Sequence, residues 1–80
     1  MITGLQCRMA RAGLDWSVKE LATRARVGEA TIRRFEHGHA TITATAEAIS
    51  RALQAAGCEF FTESGYVGVQ APPPLAEPGS

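Results

Sequence analysis

Between Gly28 and Gly38 the chain reads Gly-Glu-Ala-Thr-Ile-Arg-Arg-Phe-Glu-His-Gly, with two adjacent arginines and a glutamate four residues before the first of them. A guanidinium presents a planar fork of donors that matches guanine O6 and N7. A glutamate can accept from cytosine N4, and an alanine or the Thr31 methyl can meet a thymine methyl. If Ile32 and Phe35, three residues apart, are buried on one side of a helix, then Glu29, Ala30, Arg33 and Arg34 turn outward together as a surface able to read base edges. A plainer outcome is open at the same residues. Glu29 and Arg33 are four apart in the favourable order, so they can form a surface ion pair of roughly 0.2–0.5 kcal/mol and nothing more.

Those side chains need a scaffold, and the preceding residues supply one. Ser17 followed by Glu20 reads as a capping box, which starts a helix at Val18. Val18, Leu21, Ala22 and Ala25 then point inward, while Lys19, Glu20, Thr23 and Arg24 face water or a partner. Ala22 is small enough to let another backbone approach. Val27 plugs the turn, Gly28 caps the next helix, and that helix runs from about Glu29 to His37 before Gly38 ends it in a left-handed conformation. Two short helices joined by a tight turn can lay the second in the DNA major groove.

The run from Leu14 to Gly38 resembles the phage-repressor and Cro-like helix-turn-helix family, the XRE family. Leu21, Ala22, Val27, Thr31, Ile32 and Phe35 meet its pattern in register, and Glu36-His37-Gly38 matches its Glu-x-Gly ending. The resemblance implies a mainly α protein: a four-helix lambda-repressor-like DNA-binding domain, here with a short C-terminal β-strand segment. It implies double-stranded DNA as partner, base reading by Glu29, Ala30, Arg33 and Arg34, and backbone contacts from Lys19, Thr23, Arg24, Gly28, Thr31, His39 and Thr41. It also pairs Glu36 with an arginine of helix one, here Arg11. Two positions depart from the pattern. Arg26 stands where the turn usually has glycine, and a left-handed non-glycine residue costs roughly 1–2 kcal/mol. Val18 replaces the usual glutamine, which removes a phosphate contact.

Eighty residues, 45% of them apolar, make one small domain near the lower size at which a core holds itself together. Net charge is zero but unevenly spread: all eight cations precede residue 52 against five acids there, a local +3, and Glu59, Glu63 and Glu77 follow. Modest electrostatic attraction implies strong reliance on fit. Cys7 and Cys58 lack metal-motif spacing and are expected reduced and partly buried. His37-x-His39 alone is a weak zinc signal, so neither metal nor cofactor is expected. No apolar run approaches the ~20 residues that span a bilayer, and the expectation is a soluble, cytoplasmic chain without membrane contact. No nucleophile is paired with a base, so no catalytic residue is expected.

The remaining chain should complete the core. Thr3 is a candidate cap for helix one, whose Ile2, Leu5, Met9 and Ala12 share a face and which stops near Gly13. Trp16 reads as a core or rim plug rather than a binding aromatic. In the loop after Gly38, His39, Thr41 and Thr43 are phosphate-contact candidates, Thr43 equally a helix cap, and Ile42 should point inward. Helix four spans about Ala44 to Ala56 with Ile49, Ala52, Leu53 and Ala56 inward, ended by Gly57. From Cys58 to Gln70 a hairpin is expected around Glu63-Ser64-Gly65. Such a ribbon is marginal alone, so it either joins a homodimer, edge to edge or through Phe60, Phe61, Tyr66 and Val67, or lies as a lid on helix four. The organisation expected is residues 1–57 as DNA-binding unit, 58–70 as dimerisation element and 71–80 as a Pro-rich tail. Three readings follow: a repressor binding a pseudo-palindromic operator as a homodimer, an antitoxin with a toxin partner, and a protein-interaction module on the same fold.

Overall fold

The computed structural model describes residues 1–72, which form α1 (Gly4–Leu14), α2 (Val18–Ala25), α3 (Glu29–Glu36), α4 (Thr43–Ala55) and an antiparallel hairpin of β1 (Glu59–Glu63) and β2 (Tyr66–Gln70). The mainly helical fold with a short C-terminal two-stranded sheet is the one expected. Beyond Pro72 the expected Pro-rich tail lies outside the described residues. Ala71 packs against the core.

Local donor chemistry starts the first two helices. At α1 the full reciprocal cap is present: Gln6 N donates to Thr3 Oγ1 at 3.1 Å and Thr3 N to Gln6 Oε1 at 2.9 Å. At α2 only half of the expected box forms. Ser17 Oγ accepts from Glu20 N at 3.0 Å, but the Glu20 carboxylate turns instead to Arg24, also at 3.0 Å. A charged partner one turn along the helix competes with the single amide that the box offers.

Leu21, Ile32, Ile49 and Leu53 are fully buried and draw α2, α3 and α4 around one core that Cys7, Ala10 and Ala46 complete. Helix one corrects the expected face. It buries Gln6, Cys7 and Ala10, whereas Leu5, Met9 and Ala12 are exposed and only Ile2 of the expected set is inside. Packing against α3 selects the small side, because a Cβ on Gly4 would collide with the Phe35 carbonyl. The helix also runs past Gly13 to Leu14, and Asp15 takes the left-handed turn at φ 57°. Gly13 serves a close approach, since a Cβ there would stand 2.8 Å from that of Ala71.

Helix four begins one residue earlier than expected, with Ile42 in the cap position and Thr43 inside the first turn. Ile42 falls in register with the buried stripe Ala46, Ile49 and Leu53, yet it is 72% exposed. Its backbone is extended, at φ −62° and ψ 146°, and that swings the side chain out of the helical stripe. Ala52 and Ala56 are half-buried.

The hairpin pairs Phe60 with Val69 and Phe61 with Gly68, and turns through Ser64 and Gly65, both at positive φ as a two-residue type I′ loop requires. It rests chiefly on α1 through β2 rather than on α4. Gln6 fastens it there: Nε2 donates to the carbonyls of Phe61 at 3.0 Å and Gly68 at 3.1 Å.

Candidate nucleic-acid interface

The turn between α2 and α3 sets how the second helix is presented. Arg26 adopts the left-handed conformation, φ 60° and ψ 43°, despite its side chain. Its amide and that of Val27 return to the last carbonyls of α2, Val27 N reaching Ala22 O at 3.0 Å. This closes the helix without glycine. Val27 packs on the core as the expected plug. Gly28 then caps α3 with no side-chain hydrogen bond, so the first amides of α3 remain available to an outside acceptor.

With Ile32 and Phe35 buried, α3 presents Ala30, Arg33 and Arg34 as exposed residues and Glu29 as half-exposed. The plainer outcome at Glu29 and Arg33 is realised: Arg33 Nη2 donates to Glu29 Oε1 at 3.2 Å. Exposure and salt keep such a pair weak, so a stronger acceptor can replace it. Arg34 has no ion pair among the described residues. His37 closes the helix with Nδ1 2.8 Å from the Arg33 carbonyl. Gly38 follows at φ 85°.

Along the flank of α2, Lys19, Thr23 and Arg24 are exposed. The Arg24 guanidinium lies 4.4 Å from the centre of the Trp16 ring as well as on Glu20, which holds it in one place. Trp16 is thus more than a core plug: one face packs against the core and the ring carries a cation. Beyond α3, His39 is exposed and Thr41 half-exposed, with Thr41 Oγ1 donating to the His39 carbonyl at a long 3.4 Å. The start of α4 also lacks a side-chain cap. Thr31 is half-buried beside Gly28.

Behind the outward face lies an ion pair that ties α1 to the end of α3. Arg11 Nε and Nη2 donate to the two oxygens of Glu36 at 2.9 Å each, and Nη1 donates to the Trp16 carbonyl at 3.1 Å. The hydrogen bond to Glu36 raises the affinity of the Arg11 guanidinium for its proton, against the opposing pull of burial. Cys7 joins from below, its thiol donating to Glu36 Oε2 at 3.3 Å. Sequence reasoning missed this thiol and the part played by Gln6. For Gln6 a signal existed, because Thr3-x-x-Gln6 is itself a capping-box pattern.

Burial first, and then the bond to Glu36, pushes the Cys7 thiol well above its ordinary value of 9.0, and burial raises Cys58. A thiol whose folded-state pKa is raised contributes stability that is intact below the unfolded value and is lost as pH rises beyond it. Unfolding free energies from urea titration should therefore fall above pH 9.0, with a steepness of up to about 1.4 kcal/mol per pH unit for each thiol, and Cys7→Ala should flatten that fall. An equal fall in wild type and Cys7→Ala would place the Cys7 sulfur in contact with water.

No helix of the described residues is long and apolar enough to cross a membrane. Among them, no group of three His, Cys, Asp or Glu residues stands close enough to hold a metal ion. A helix-turn-helix family model matches residues 8–60, from the second turn of α1 into β1. A search among curated proteins found no match to the chain.

Proposed function

The chain belongs to the XRE-type helix-turn-helix family of DNA-binding regulators, and from that premise we propose that it is a repressor binding a pseudo-palindromic operator as a homodimer in the cytoplasm. Residues 1–57 act as the DNA-binding unit and residues 58–70 as the dimerisation element. Two copies related by a twofold axis place their α3 helices one turn of DNA apart, about 34 Å. Occupancy of the operator is itself enough to exclude other proteins from it.

The observation that carries this reading is Arg34, exposed on α3 opposite Ile32 and Phe35 and with no ion pair among the described residues. It is the side chain best prepared to meet guanine. Arg33 and Glu29 release one another on meeting bases, and Ala30 supplies an apolar contact. Lys19, Thr23, Arg24 and Thr31, with the amides at Gly28 and groups from His39 and Thr41, hold the phosphates on either side. Anions suit the two helix starts that no side chain caps.

Arg34→Ala is expected to weaken specific binding by ~1–3 kcal/mol and to relax preference at one base position per half-site, whereas Lys19→Ala weakens binding to all sequences alike. Selection of bound sites from random DNA, followed by band-shift titration of both variants, tests this. An unchanged base preference in Arg34→Ala would remove Arg34 from the reading face, and salt-insensitive or absent binding to every DNA would favour a protein-interaction role instead.

A further inference from the structure

The surface of α1 divides into three stripes. Gly4, Cys7 and Arg11 meet α3 through the Phe35 carbonyl and Glu36. Gln6, Ala10 and Gly13 face the core and the C-terminal segment. Leu5, Met9 and Ala12, with Arg8 beside them, face away from both, Leu5 being 47% and Met9 37% exposed. A helix that buries Gln6 and leaves Leu5 and Met9 outside, with Leu14 alone of its large apolar residues packed on the core, inverts the usual partition over its first turns, and an exposed apolar stripe of this kind marks a contact surface.

The hairpin repeats the pattern. Alternation along paired strands puts Phe60, Thr62, Val67 and Val69 on its inward face and Glu59, Phe61, Glu63 and Tyr66 on the outward one. Phe60 and Val69 pack on the core, so these two of the hairpin's apolar residues are already covered by the chain itself. Tyr66 stays 79% and Phe61 46% exposed, the Phe61 ring lying across Gly68. Gln6, the residue after Leu5, clamps the Phe61–Gly68 pair to α1 by donating to both carbonyls. Stripe and hairpin are therefore held side by side through one side chain.

We infer that this surface, the Leu5–Met9 stripe of α1 together with the Phe61–Tyr66 face of the hairpin, receives a second copy of this chain. The inference rests on the homodimer proposed above and names the face that forms it. Charge selects the occupant. Arg8 on the stripe, and Glu59 and Glu63 on the hairpin, are exposed and have no ion pair among the described residues. A twofold contact requires a self-complementary surface. Laying the stripe of one copy on the hairpin of the other sets Arg8 against Glu59 or Glu63 of the partner copy, twice, while the apolar side chains meet between them. The stripe also lies away from the side of α1 that holds α3, so both reading helices remain free.

Sedimentation equilibrium of the full chain tests this. The double substitution Leu5→Glu, Met9→Glu should raise the dimer dissociation constant by about tenfold or more, with helical circular dichroism retained because both side chains are exposed. Arg8→Glu, at an exposed position, should weaken the dimer by roughly three- to tenfold, and adding Glu59→Arg and Glu63→Arg should restore it to within about twofold. A wild-type dimer that both sets of variants leave intact overturns this surface while the homodimer stands. A wild type that stays monomeric, free and on selected operator DNA, overturns the homodimer and this surface together.

Discussion

Replacing Arg11 with alanine is expected to destabilise the folded chain by ~3–5 kcal/mol, the cost of leaving one half of a buried ion pair behind. The Glu36 side chain is only 4% accessible, and without Arg11 its carboxylate keeps the Cys7 thiol as its one remaining side-chain donor. Arg11 is itself 23% accessible, so water entering the vacated space places the effect toward the lower end. Even ~3 kcal/mol lowers the melting temperature of a domain this size by about 12 °C or more. The loss extends beyond stability. The same guanidinium holds the Trp16 carbonyl, and Trp16 carries Arg24, so one substitution loosens α3 at its end and α2 at its start. Urea denaturation and operator titration should both register it. Arg11→Met combined with Glu36→Leu should recover most of the stability, since apolar groups of similar volume replace a buried pair at little net cost. A deficit below about 1 kcal/mol in Arg11→Ala would mean that the pair is open to solvent.

Ile32→Ala should cost ~2–5 kcal/mol, from the lost transfer of a fully buried side chain and the cavity it leaves. Ile32 packs α3 onto the core while Arg33 and Arg34 project from the other side, so the cavity acts on aim as well as on stability. In a chain of 80 residues a loss at the upper end approaches the whole margin of stability. The measurement is calorimetry, paired with operator affinity under conditions where the variant remains folded. Affinity should drop more than the folded fraction accounts for. If it tracks the folded fraction alone, the packing of Ile32 stabilises the domain without aiming the arginines.

Much of the helix-turn-helix unit was legible because its signals are local. Ser17, Gly28 and Gly38 mark helix ends by backbone chemistry that needs no distant partner, and Leu21, Ala22, Ile32 and Phe35 recur at the spacing of a buried helical face. The Arg11–Glu36 pair was legible only through the family resemblance, since 25 residues separate its members. Helix one departs from its apolar periodicity for a physical reason. Periodicity finds the apolar stripe of a helix but cannot tell which stripe faces the core, and here steric fit of Gly4 on the Phe35 carbonyl chose the small one. Ile42 failed similarly, because its register was right while its backbone was not helical.

By itself, the amino-acid order determined where α2 begins and how the turn into α3 is placed, which residues of α2 and α3 must be buried, that Glu29 and Arg33 stand in reach of one another, and that a hairpin turns at Ser64-Gly65. These follow from chemistry within a few neighbouring residues. Tertiary structure alone decided that Gln6 clamps the hairpin to α1, that Cys7 supports Glu36, and that Leu5, Met9, Phe61 and Tyr66 remain outside. Each depends on which surfaces meet across long stretches of chain, and volume and hydrogen-bond geometry choose among faces that are equivalent in sequence.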